Sequence, residues 1–78
     1  MNDSIAEIAK RLELSGHWVS ADYRVDESTA AHLIGVKPRT MRLWRARGIG
    51  PPFIAAGRLT YRISAVLAFL ESRENRAA

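Results

Sequence analysis

Five cations fall within eleven residues of this chain: Lys37, Arg39, Arg42, Arg45 and Arg47, with no carboxylate among them. A guanidinium is a planar fork of donors that can take two acceptors at once, on a carboxylate, a phosphate or a guanine edge. A solvated helix face normally mixes signs, so an unmixed run points to an anionic partner. Met41, Leu43 and Trp44 are interleaved with the cations, and Gly-Ile-Gly-Pro-Pro closes the stretch at Gly48–Pro52. Such a run needs one element to hold its arginines on a common face.

The charge distribution extends the same point. Residues 1–36 hold three Lys/Arg and six Asp/Glu, whereas residues 37–62 hold seven Lys/Arg and no acid. Residues 63–78 hold two of each sign. A net charge of +4, concentrated this way, implies a polyanion-binding surface, most simply nucleic acid. The alternative is a plain solvated basic surface. Seventy-eight residues make one domain at most, and a chain this short buries only about 60% of its unfolded surface. With no cysteine, disulfides and thiolate zinc sites are excluded. His17 and His32 are the only imidazoles, at no metal-ligand spacing. No signal peptide is evident, because Asp3 and Glu7 stand where a basic segment would lie, and no apolar run reaches membrane-span length. A cytoplasmic protein is expected.

Local signals divide the chain into elements. Ile5, Ile8, Ala9 and Leu12 recur at helical spacing in a helix over 4–14, capped by Asp3 or Ser4 and stopped by Ser15-Gly16. Its narrow apolar stripe suits either its own domain or a neighbouring molecule. Residues 17–24 read as irregular or a short strand. Asp26 is a natural N-cap, with Val25 before it as a hydrophobic staple, for a helix over 27–34 that Gly35 ends. Pro38 opens the next helix, which Gly48 stops. Helix, three-residue turn with glycine, helix is the helix-turn-helix pattern. Residues 53–56 and 59–62 read as two strands around a two-residue Gly57-Arg58 turn, and Ser64 as the cap of a last helix to about Glu74. A hairpin directly after a helix-turn-helix is a wing. The expected fold is therefore α+β, mainly α: a winged helix-turn-helix with an extra N-terminal helix. Residues 1–23 form that helix and its connection, and 24–78 the DNA-binding domain.

On a wheel at about 100° per residue, Met41 and Trp44 lie on one edge of the 38–47 helix. Taking that edge as buried places Thr40 and Arg45 on the flanks, and Arg39, Arg42, Leu43 and Ala46 opposite. Duplex DNA suits this face: the major groove admits a helix, and arginine can give two bonds to guanine O6 and N7. Leu43 and Ala46 suit thymine methyls. Lys37 and Arg47, at the helix ends, suit phosphates, which fix register without reading sequence. Arg58 on the wing suits phosphate or an adjacent minor groove. The candidate DNA-binding set is thus Lys37, Arg39, Thr40, Arg42, Leu43, Arg45, Ala46, Arg47 and Arg58. Trp44, Met41 and Tyr61 are expected inside, His32 on the surface, and Arg62 either on a carboxylate or on DNA.

Residues 24–72 resemble the small winged-helix domain shared by phage and plasmid excisionases, AlpA-like regulators and the DNA-binding part of MerR-type regulators. The resemblance rests on STAAHLIGVKPRTMRLWRARGIGPPF and then RLTYRISAVLAFL. Ala65 stands where such domains commonly carry an acid, and Phe69 replaces their usual tryptophan. The resemblance implies DNA binding without enzymatic activity and without a cofactor. In excisionases it implies a recombination directionality factor that binds tandem sites beside an integrase core site and bends the DNA, so the partners are duplex DNA, an integrase, and a neighbouring copy bound head to tail. With few residues after Leu70, no long dimerising coiled coil is expected, which favours the excisionase over a MerR-type regulator. A small AlpA-like transcriptional regulator is the alternative. A protein-interaction module that sets the arginine helix on an acidic partner is a third reading. No nucleophile–base pair, metal cluster or glycine-rich phosphate loop points to an enzyme.

Overall fold

Asp26 decides where the central pair of helices begins. Its side-chain Oδ1 accepts a hydrogen bond from the Thr29 N–H at 2.8 Å, which satisfies an otherwise orphaned donor of helix α2, Glu27–Ile34. The computed structural model describes residues 3–74. Gly35 ends α2 at φ 94°, and the N–H groups of Gly35 and Val36 both reach the Ala31 carbonyl. Three residues later Pro38 starts helix α3, Pro38–Arg47. Gly48 stops it at φ 69°, with Ile49 N–H on the Trp44 carbonyl at 3.0 Å. Both stops need a left-handed residue, which glycine adopts without a Cβ clash.

Helix α1 spans Asp3–Leu14, and Asp3 is itself helical; the side chains of Asp3 and Ser4, expected as caps, lie outside the described set. Strand β1 is Arg24–Val25, β2 is Ile54–Ala56 and β3 is Arg58–Arg62; they form one antiparallel sheet in the order β1-β3-β2. Within 17–24, where a short strand is expected, Val19 makes an isolated antiparallel bridge with Val25, and the strand proper begins at Arg24. Helix α4, Ile63–Ser72, closes the described chain and stops short of the expected Glu74. The described residues form a small α+β domain, mainly helical, of four helices and a three-stranded sheet.

Two expected details change. The hairpin turn is not the two-residue Gly57-Arg58: Ala56 pairs with Arg58 across Gly57 alone. Gly57 takes a left-handed backbone, φ 71°, which lets the chain reverse at that one residue. Val25 pairs with Tyr61, and both point into the core, so Arg58, Thr60 and Arg62 share the other face of β3. Ser64 does not cap α4 either. The helix begins at Ile63, two residues before the start that a Ser64 cap implies, and the N–H of Ile63 finds the Tyr23 carbonyl at 3.0 Å. Tyr23 reaches that position with a left-handed backbone, φ 62°. A tertiary contact thus replaces the local cap.

The core gathers Val25, Ala30, Ala31, Met41, Tyr61, Ile63 and Val66, together with Ala9 and Leu12 from α1. Ile5 and Ile8 pack against the same cluster, so the apolar stripe of α1 is used within its own chain. Each fully buried large side chain contributes about 1.5–3 kcal/mol. Trp44 is partly buried, tilted against Phe69 at 5.6 Å between ring centroids. No described helix is long and apolar enough to cross a membrane.

Candidate nucleic-acid interface

Helix α3 carries its cations as the wheel predicts. Met41 is fully buried and Trp44 partly so, and with that edge fixed inward the helix turns Arg39, Arg42, Leu43, Ala46 and Arg47 to solvent. Lys37, just before the helix, is exposed as well. Thr40 is half-buried on the flank. Among the described residues, Lys37, Arg39, Arg42 and Arg47 take part in no ion pair. Leu43 stands 48% exposed amid them. This surface presents donors and two apolar side chains, Leu43 and Ala46, and among the described residues no carboxylate forms an ion pair with its four cations.

Arg45 behaves differently from the rest of the candidate set. Its Nε donates to Glu27 Oε2 at 2.7 Å and its Nη2 donates to Glu27 Oε1 at 3.2 Å. Tyr61 Oη donates to the same Oε2 at 2.9 Å. Glu27 sits in the first turn of α2, where the helix dipole also favours a negative charge. The hydrogen bonds from Arg45 hold the Glu27 carboxyl below its ordinary range against the opposing effect of burial, with Tyr61 and then the nearby charge of Arg42 adding to the shift. In return Glu27 raises the Arg45 pKa. Burial, and then the bond to Glu27, push the Tyr61 phenol up to about 12. Arg45 is therefore engaged within the fold: its flank position on the wheel brings it to Glu27, eighteen residues back.

Arg58 is also partly engaged. Its guanidinium lies 4.0 Å from the Trp18 ring centroid, and its Nη2 is 3.7 Å from Asp26 Oδ2. Its side chain remains 56% exposed, so it can still meet an outside acceptor. Asp26 and Glu27 are consecutive, so the start of α2 ties the hairpin through one carboxylate and α3 through the next.

On the outer face of the sheet, Arg24 and Arg62 pair across β1 and β3. Asp22 lies between the two like charges, 2.9 Å from Arg24 Nε and 3.8 Å from Arg62 Nη1. The Ser20 hydroxyl first, then Arg24, lower the Asp22 pKa to about 2. Arg62 thus has a carboxylate partner, and it comes from the loop before β1. Arg24 Nη1 also donates to the buried Thr60 hydroxyl at 3.0 Å. The rings of His17 and His32 stack at 5.1 Å, and His17 Nδ1 lies 3.2 Å from Thr29 Oγ1. Nothing in the spacing of these two histidines signals that contact. Sequence reasoning missed Glu27 altogether, although an acid at the first position of a helix that precedes a basic helix is a signal that could have found it.

The chain matches no protein-family model, no curated protein and no solved structure.

Proposed function

We propose that this protein binds duplex DNA sequence-specifically, with α3 as the recognition helix of a winged helix-turn-helix and the β2–β3 hairpin as its wing. The observation that carries this reading is the solvent face of α3: Arg39, Arg42 and Arg47 exposed beside Leu43 and Ala46, with none of the three arginines in an ion pair among the described residues. A ten-residue helix is about 15 Å long, enough to lie across a major groove about 12 Å wide. Arg39 and Arg42 are one turn apart and give bidentate bonds to guanine edges, while Leu43 and Ala46 meet thymine methyls. Lys37 and Arg47 at the ends bind phosphates, and Arg58 exchanges its long contact with Asp26 for a phosphate of the flanking backbone.

Within that reading, the role is that of an excisionase, a recombination directionality factor that bends DNA for an integrase. Support for this narrower role comes from the resemblance of residues 24–72. A salt titration of binding to a selected duplex and to its scrambled counterpart tests the first claim. Specific binding keeps a clear ratio between the two at every salt concentration, and an affinity for both that is weak and independent of salt would defeat it. An excision assay with the integrase encoded by the same mobile element tests the second.

A further inference from the structure

We propose that Glu27 determines the sequence discrimination of the α3 surface by holding Arg45 off the phosphate backbone. The inference rests on the DNA-binding reading above and names a residue outside the contacting face. Arg45 lies on the flank of α3 and comes close to the same carboxylate whose charge Arg42 also feels, so it borders the exposed cationic face. Unrestrained, a guanidinium there would reach for the nearest anion, and on a duplex that is a phosphate.

Glu27 prevents this with geometry that a loose surface pair lacks. Both of its oxygens accept from the Arg45 fork, at 2.7 and 3.2 Å, and a third donor, the buried Tyr61, fixes Oε2 from the sheet. The Glu27 side chain is only 15% exposed and that of Arg45 only 32%. The backbone under Glu27 is set by the Asp26 cap one residue earlier. Phosphate contacts supply affinity that is the same on every sequence, whereas base contacts discriminate. An arginine withdrawn from phosphates lowers the sequence-independent part and leaves the base-reading part to Arg39 and Arg42. Glu27 is thus a positioning residue whose effect is specificity.

The test uses the full chain, a duplex selected by the wild-type protein from a random pool, and a scrambled duplex of the same composition. Glu27→Gln is expected to bind the scrambled duplex several-fold more tightly than wild type, to steepen the salt slope by about one unit, and to narrow the ratio between the two duplexes. Glu13→Gln, an exposed site on α1, makes the same change in net charge and controls for it. An equal steepening there would overturn the proposal, because bulk charge would then explain the effect. The double variant Glu27→Gln/Arg45→Gln should return the slope to the wild-type value. Arg45→Gln alone should not flatten the slope, whereas Arg47→Gln should flatten it by about one unit. A flatter slope in Arg45→Gln means that Arg45 already touches phosphate, which refutes the proposal even if Glu27→Gln fails to fold. If the wild-type protein shows no salt-dependent duplex binding, the DNA reading itself falls and this inference with it. If the wild type binds and Glu27→Gln matches it on both duplexes, only the inference falls.

Discussion

Tyr61 and Glu27 share a hydrogen bond, and their pKa values move in opposite directions, so folding stability should decline at both ends of the pH scale. The phenol is neutral when it donates, and its folded pKa is raised from 10.0 to about 12. Its contribution is therefore full below pH 10 and is lost as pH rises toward 12. Glu27 is depressed, so its contribution is present above its ordinary value of 4.5 and is lost as pH falls through the lower folded value. Tyr61→Phe should cost about 1–2 kcal/mol at neutral pH and should flatten the decline between pH 10 and 12. Melting temperature against pH for both proteins checks this, and an identical alkaline decline would contradict it. Arg39 and Arg42 make the complementary case, because among the described residues neither is in an ion pair. Arg39→Ala and Arg42→Ala should each weaken binding to the selected site by about 1–3 kcal/mol with an unchanged circular dichroism spectrum. Wild-type affinity in both variants would place the recognition face elsewhere.

At the scale of elements, the α2–α3 pair was legible in the sequence because its boundaries are set by neighbouring residues. Asp26 caps three residues ahead, Gly35 and Gly48 turn left-handed, and Pro38 opens a helix, all within one turn of the residues they act on. The inward edge of α3 was legible for the same reason, since Met41 and Trp44 are one turn apart. The sheet was legible only in part. Pairing of Arg24 with Arg62 spans thirty-eight residues, and no local signal announces it. The start of α4 likewise followed a distant group, the Tyr23 carbonyl. The contact of Arg45 with Glu27 was not legible on the same ground, because a wheel describes one helix and Glu27 stands on another. Trp44 carries the junction of α3 and α4 through its contact with Phe69. Trp44→Ala should therefore destabilise the domain by about 3 kcal/mol, at the lower end for a large aromatic because the residue is only partly buried. Loss of DNA binding with a melting temperature within a few degrees of wild type would show that the ring faces the DNA instead.

For the whole molecule, the division between an acidic 1–36 and a basic 37–62 reads as complementarity, and the fold uses part of it internally. Asp26 and Glu27 at the start of α2 meet Arg58 and Arg45, and Asp22 meets Arg62, so three of the seven cations of the basic region are matched among the described residues. The same economy applies to α1. Its stripe of Ile5, Ile8, Ala9 and Leu12 was expected to suit a neighbouring copy equally well, yet Ala9 and Leu12 are buried in the chain's own core and the two isoleucines pack against it. A domain this small has few core residues to lose, and its total stability is of the order of 5–15 kcal/mol. Leu12→Ala alone should cost about 2–5 kcal/mol, and a chain lacking residues 1–16 removes the whole stripe and leaves the α4 side of the core exposed to water. Such a truncated chain should be largely unfolded at room temperature, with weak binding to single and tandem sites alike. Circular dichroism melts and titrations on one and on several adjacent sites measure both quantities. A truncated chain that melts like wild type and loses only cooperativity would show that α1 serves a neighbour on DNA after all, and that its place against the core in the isolated chain is exchanged on binding.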